Sequence, residues 1–122
     1  MREISMKLAI IGSRNFNDYE LLKRWAYVYL TAAWGHNVII VSGGAKGADS
    51  LSEKFAEEYA YKKEIYLPNW EKHGKAAGFI RNQKIIDACD MVLAFWDGQS
   101  KGTEDSIKKA KVAKKPTFIV YF

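Results

Sequence analysis

Five short runs in this chain are almost wholly apolar: "KLAIIG" (7–12), "NVIIVSG" (37–43), "KEIYLP" (63–68), "DMVLAFW" (90–96) and "PTFIVYF" (116–122). None alternates strictly with polar residues. Short continuous runs of this kind suit strands covered on both faces, as in a parallel sheet. Helical periodicity fills the gaps between them. Leu22, Ala26, Tyr29, Leu30 and Ala33 fall on one face of a helix over 18–34. Asn17 with Glu20 three residues later resembles a capping box at its start, and Gly35 is a stop signal. Leu51, Phe55 and Tyr59 mark a second helix over 47–61, and Phe79, Ile85, Ile86 and Cys89 a third over 76–89. Ile107 and Ala110 mark a fourth over 102–114, which stops before Pro116. "PNWEKHGKA" (68–76) is the least periodic stretch and reads as a surface loop.

The resulting order, β-α-β-α-β-α-β-α-β, predicts a single α/β domain over residues 1–122. It is a Rossmann-like three-layer fold, with a five-stranded parallel sheet in the order 3-2-1-4-5 and four helices. In such a sheet, ligands sit outside the carboxyl ends of the strands, where the strand order reverses. Three unusual turns share that edge: "GSRNF" after strand 1, "SGGAKGAD" after strand 2 and "WDGQSKGTED" after strand 4. Glycine ahead of a helix lets a ligand approach the main chain, and the first N–H groups of the helix then favour an anion. Gly43, Gly44 and Gly47 serve the second helix in this way, and Gly98, Gly102 and Thr103 the fourth. Arg14, Lys46 and Lys101 add positive charge. Short loop closure alone also accounts for such glycines, but three neighbouring turns favour a ligand site. Neither GxGxxG nor GxxxxGK[ST] is present, which disfavours an ordinary dinucleotide dehydrogenase or P-loop ATPase.

Composition narrows the partners. The 122 residues are 48% hydrophobic and 27% charged, ordinary for a globular domain. The formal net charge of +5 points to anionic partners such as nucleotides or nucleic acid. No apolar run approaches the ~20 residues that cross a bilayer, and the N-terminal apolar stretch is too short for a signal peptide. The expected location is cytoplasmic, with no membrane partner. The one cysteine, Cys89, reads as a buried structural thiol, and no spacing suggests a metal site, a cofactor, or a Ser-His-Asp or Cys-His pairing. His73 reads as a surface or structural residue. Lysines 108, 109, 111, 114 and 115 form a solvated face or, in a sharper reading, a footprint for nucleic acid. Trp25, Tyr27, Trp34 and Trp70 would suggest a homo-oligomeric interface if exposed.

At its glycine turns the sequence resembles the SLOG superfamily of Rossmann-like proteins, in its small YspA-like branch. "IIGSR" (10–14) is similar to the first-strand motif and "SGGAKGAD" (42–49) to the second glycine motif. "GFIRNQKII" (78–86) is similar to the arginine–asparagine helix, and "WDGQSKGT" (96–103) to the final GT motif. The resemblance implies a nucleotide or nucleotide-derived ligand across the crevice. A phosphate-ready crevice with no clear catalytic set gives the expectation that the protein senses or sequesters an ADP-ribose-like or cyclic nucleotide signal. The resemblance extends to the site. It implies that Gly12, Ser13 and Arg14 line the floor, and that Ser42, Gly43, Gly44, Gly47 and Asp49 hold ribose and phosphate. Arg81 and Asn82 reach in from the third helix, and Gly102 and Thr103 cradle phosphate. Lys46, Trp96, Asp97, Ser100 and Lys101 complete the ligand-binding set. Asp49 also reads as a base near the sugar or as a complement to the helix dipole. LOG-type phosphoribohydrolases in this superfamily carry a glutamate three residues after the GT threonine. Here that position is Ser106, so no catalytic residue is named. Hydrolysis of that type, and single-stranded DNA binding as in DprA-like relatives, stand as the two alternatives.

Overall fold

The computed structural model describes residues 5–32 and 37–122. Its elements are β1 (Ser5–Gly12), α1 (Tyr19–Ala32), β2 (Asn37–Ser42), α2 (Ala48–Glu58), β3 (Lys62–Ile65), α3 (Trp70–His73), α4 (Ala77–Ala88), β4 (Met91–Trp96), α5 (Lys101–Val112) and β5 (Thr117–Tyr121). The strands form one parallel sheet in the order β3-β2-β1-β4-β5. The positions of Ala33, Trp34 and Gly35 lie outside the described residues.

The apolar runs alternate after all, but between two cores. Leu8 and Ile10 of β1 join Leu22 and Ala26 of α1 and Phe55 and Ala56 of α2 on one face. Ala9 and Ile11 join Ile85 and Ile86 of α4 and Ile107 and Ala110 of α5 on the other. Each fully buried Leu or Ile contributes about 1.5–3 kcal/mol, so a strand apolar on both faces is held from both sides. That logic covers β1, β2 and β4. The edge strands depart from it: every residue of β3 is at least partly accessible, and Phe118 and Tyr121 of β5 are exposed.

Three local expectations change. The cap of α1 is Asp18, not Asn17: its Oδ1 accepts the Leu21 N–H at 3.0 Å. The stretch at 68–76 stays at the surface but holds the single turn α3, followed by a 3₁₀ turn at Gly74–Ala76. Asn69 caps that turn by accepting the Lys72 N–H at 3.1 Å. The aromatics also divide: Tyr27 is exposed, whereas Trp25 is half-buried on Phe118, with ring centroids 4.7 Å apart. Cys89 is a buried free thiol that burial pushes up to about 11. Among the described residues, no helix is long and apolar enough to cross a membrane.

Candidate functional site

The turns after β1, β2 and β4 meet around Ser13, which is almost fully buried. Its N–H donates to the Phe95 carbonyl at 2.9 Å, and its hydroxyl oxygen accepts the Asp97 N–H at 3.3 Å. Its own carbonyl accepts the Ala48 N–H at 3.4 Å. Ser13 therefore ties the ends of β1 and β4 to the start of α2. Two glycines are bare because protein fills the space beside them. A Cβ on Gly12 would overlap the Phe95 carbonyl, and one on Gly47 would overlap the carbonyls of Ser13 and Arg14.

This clasp sets the two helix starts apart. At the start of α2 the Ser13 carbonyl takes the Ala48 N–H, and the first turn carries the Asp49 carboxylate. The first turn of α5 is open. Its first intrahelical bond runs from the Glu104 N–H to the Ser100 carbonyl at 3.1 Å, so the N–H groups of residues 101–103 have no intrahelical acceptor. Ser100 does not cap them, because its hydroxyl donates to the Asp97 carboxylate at 2.9 Å. Asp97 also accepts the N–H groups of Ser100 and Gln99, at 2.8 and 2.9 Å, and these bonds hold its carboxyl at about 2. Asp97 thus shapes the turn that presents α5.

Gly102, Thr103 and Ser106 of α5 line a cavity of about 450 Å³. Asp49 and Arg81 face it from α2 and α4, and Gly12, Ser13 and Arg14 from the end of β1. Asn82, Asp97 and Ser100 complete the wall toward α5. The Arg81 guanidinium lies in space that the missing side chain of Gly43 leaves free: a Cβ there would come 2.5 Å from Nη1. Nη1 donates to the carbonyls of Gly43 and Tyr66, and Nε to Asn82 Oδ1 at 3.1 Å. Among the described residues no protein acceptor takes Nη2. The Asn82 amide donates to the Gly102 carbonyl and Asp105 Oδ2, at 3.2 and 3.1 Å, and so fixes α4 against the start of α5.

Asp49 is the buried charge of the site. Its Oδ2 accepts the Ala45 N–H at 3.2 Å. Burial raises its carboxyl to about 6, against the downward pull of that hydrogen bond and of the Arg81 guanidinium. The neighbouring acids of α5 are engaged elsewhere: Glu104 pairs with Lys108 at 2.8 Å, and Asp105 with Lys109. Lys115 caps the carbonyls of Ile86 and Cys89 at the end of α4. Three of the five clustered lysines are therefore tied to protein groups, which favours the solvated-face reading.

Not every sequence candidate reaches the cavity. Gly43, Gly44 and Lys46 line a second, adjoining compartment. Ser42, Gly47, Trp96 and Lys101 line neither. Ser42 donates to Glu53 Oε2 at 2.8 Å and accepts the Gly44 N–H, shaping the glycine loop from below. Trp96 donates from its indole to the Ser100 carbonyl at 3.0 Å and packs on Tyr121. Sequence reasoning missed Trp70, Lys75 and Phe79 as wall residues. The available signal was two aromatics and a lysine around an aperiodic segment, which no periodicity argument can aim.

The fold and this edge define a Rossmann-like domain with an anion-ready cavity at the switch point of its sheet. Residues 6–73 match the model of the YspA, cpYpsA-related SLOG family, and the chain belongs to that family. The match runs from β1 through α3 and ends before the arginine–asparagine helix. The chain is also similar to the Gene 61 protein of Mycobacterium phage D29, 36% identical over 87 residues, which are 66% of this chain and 70% of that protein. Its fold is similar to that of DNA processing protein A from Helicobacter pylori, in a structure described for its single-stranded DNA binding mode. The TM-score is 0.71 at 24% identity, over 93% of this chain. This chain covers 64% of that one's length.

Proposed function

We propose that the protein binds a nucleotide or nucleotide-derived ligand in the cavity at the carboxyl ends of β1, β2 and β4, and acts as a sensor or sequestering protein. The observation that carries this reading is the uncapped start of α5, opening on a cavity that also holds Arg81 and Arg14. The N–H groups of Gly102 and Thr103, without an acceptor among the described residues, and a positive helix end favour a phosphate, and a guanidinium adds directed donors. Membership in the SLOG family supports the same ligand class.

Asp49 favours a second reading. A carboxyl near 6 beside a bound sugar has the right proton affinity for a general base in N-glycosidic hydrolysis. The proton would move from the attacking water to Asp49 as the base departs from the ribose.

Mass spectrometry of a panel of nucleoside monophosphates and ADP-ribose derivatives, incubated with the protein, separates the two. Intact ligand in the protein-bound fraction supports binding. Free base with ribose phosphate supports hydrolysis, and Asp49→Asn then abolishes it. Arg14→Ala and Arg81→Ala each weaken retention by about tenfold or more, the worth of a charge-assisted hydrogen bond. If nothing is retained or cut and the chain instead binds single-stranded oligonucleotides with a steep salt dependence, the small-molecule reading is wrong.

A further inference from the structure

The cavity at α5 does not end at Arg81. A second compartment of about 470 Å³ adjoins it, and the two share Arg14, Ala45, Trp70 and Arg81 as walls. Both compartments have apolar walls, Trp70 in each and Phe79 in the first, but they differ in charge. The first is floored by Asp49, Asn82, Asp97 and the start of α5. The second is lined by Gly43, Gly44, Leu67, Pro68 and Trp70, with only cationic side chains, Lys46 among them, to supply charge. Leu67 and Trp70 are 69% and 54% exposed, so two large apolar side chains stand in water along one groove.

Their placement is built. The turn that carries Trp70 is capped by Asn69, and the indole edge lies 3.8 Å from where a Cβ on Gly78 would stand. Gly44, at a φ of +71°, leaves the room that Leu67 occupies: a Cβ there would come 2.5 Å from Leu67 Cδ2. The glycine pair therefore serves two side chains, Gly43 the Arg81 guanidinium and Gly44 the Leu67 methyl.

Resting on the nucleotide reading, we infer that this second compartment is the base site. Trp70 stacks on the base, and Leu67 and the Gly43–Gly44 backbone complete the slot. The open start of α5 sets the orientation of the ligand, by holding the phosphate in the first compartment. A phosphate keeps its charge solvated by the N–H groups of α5, whereas a base is planar and gives up water readily. Arg14 and Arg81, common to both compartments, span the junction where the ribose lies. Stacking on an indole uses the π-face that every base has, so the contribution of Trp70 is similar for all four bases.

Titration calorimetry of the full chain with AMP, GMP, CMP, UMP and ribose 5-phosphate tests this. Trp70→Ala weakens the nucleotides by about tenfold or more and ribose 5-phosphate by less than about twofold, because only the former stack. Trp70→Phe restores most of the loss, and Leu67→Ser on the same groove gives a smaller loss with the same selectivity. An equal loss for ribose 5-phosphate, or unchanged nucleotide affinity in Trp70→Ala, overturns the base site while leaving the phosphate site standing. A wild-type chain that binds neither nucleotides nor ribose 5-phosphate overturns the functional reading itself, and the base site with it.

Discussion

Asp49 is kept inside the protein at a cost. Its carboxyl titrates near 6 in the folded chain, above its ordinary 3.8, because burial penalises the charge more than Ala45 and Arg81 relieve it. The folded state therefore holds more protons between about pH 4 and pH 6, and stability falls as pH rises through that window. Asp49→Asn removes the charge and keeps an acceptor for the Ala45 N–H. It raises stability at pH 7 by about 1–3 kcal/mol, a gain that vanishes near pH 4. Urea denaturation at the two pH values checks both statements. A carboxylate kept at a cost to stability, beside two arginines and a cavity, supports the proposed role of Asp49 at the ligand.

At the scale of elements, the start of α5 carries the same trade. Gly102 is a poor helix former, and nothing stands within 4 Å of where its Cβ would be. Gly102→Ala stabilises the helix by about 0.5–1 kcal/mol, seen as a raised melting temperature. The added methyl stands at the cavity wall beside the open N–H groups and weakens nucleoside monophosphate binding by about tenfold, the equivalent of one charge-assisted hydrogen bond. Calorimetry on the same samples measures it. A variant that gains stability and keeps full affinity would mean that the ligand does not approach α5 at this glycine.

For the whole molecule, stability rests on β1 and β4 at the centre of the sheet. Leu93 is fully buried and aligned with Ile10 on one side and Phe118 on the other. Leu93→Ala costs about 2–5 kcal/mol, through lost burial and the cavity left behind. A domain of this size has only about 5–15 kcal/mol in total, so the urea midpoint drops sharply while the slope stays constant. The same two strands end at the Ser13 clasp, so the core that stabilises the fold also sets the geometry of the site.

The order of elements, the parallel sheet and the edge where the three glycine turns meet were legible in the sequence. Each follows from local signals: apolar runs of strand length, a 3.6-residue period between them, and glycines where strand gives way to helix. The same signals misjudged β3 and β5, because an apolar run does not say whether a strand has a neighbour on both sides. Which helix start is open could not be read, since it depends on the Ser13 carbonyl, in a turn 35 residues earlier, accepting the Ala48 N–H of α2. The purpose of Gly43 and Gly44 was equally hidden. Bare backbone reads as room for a ligand, but the space at these two positions is taken by Arg81 and Leu67. Sequence determines where the chain bends and what it buries. Only the tertiary structure decides which atoms fill the room that a missing side chain leaves, because those atoms arrive from elsewhere in the chain.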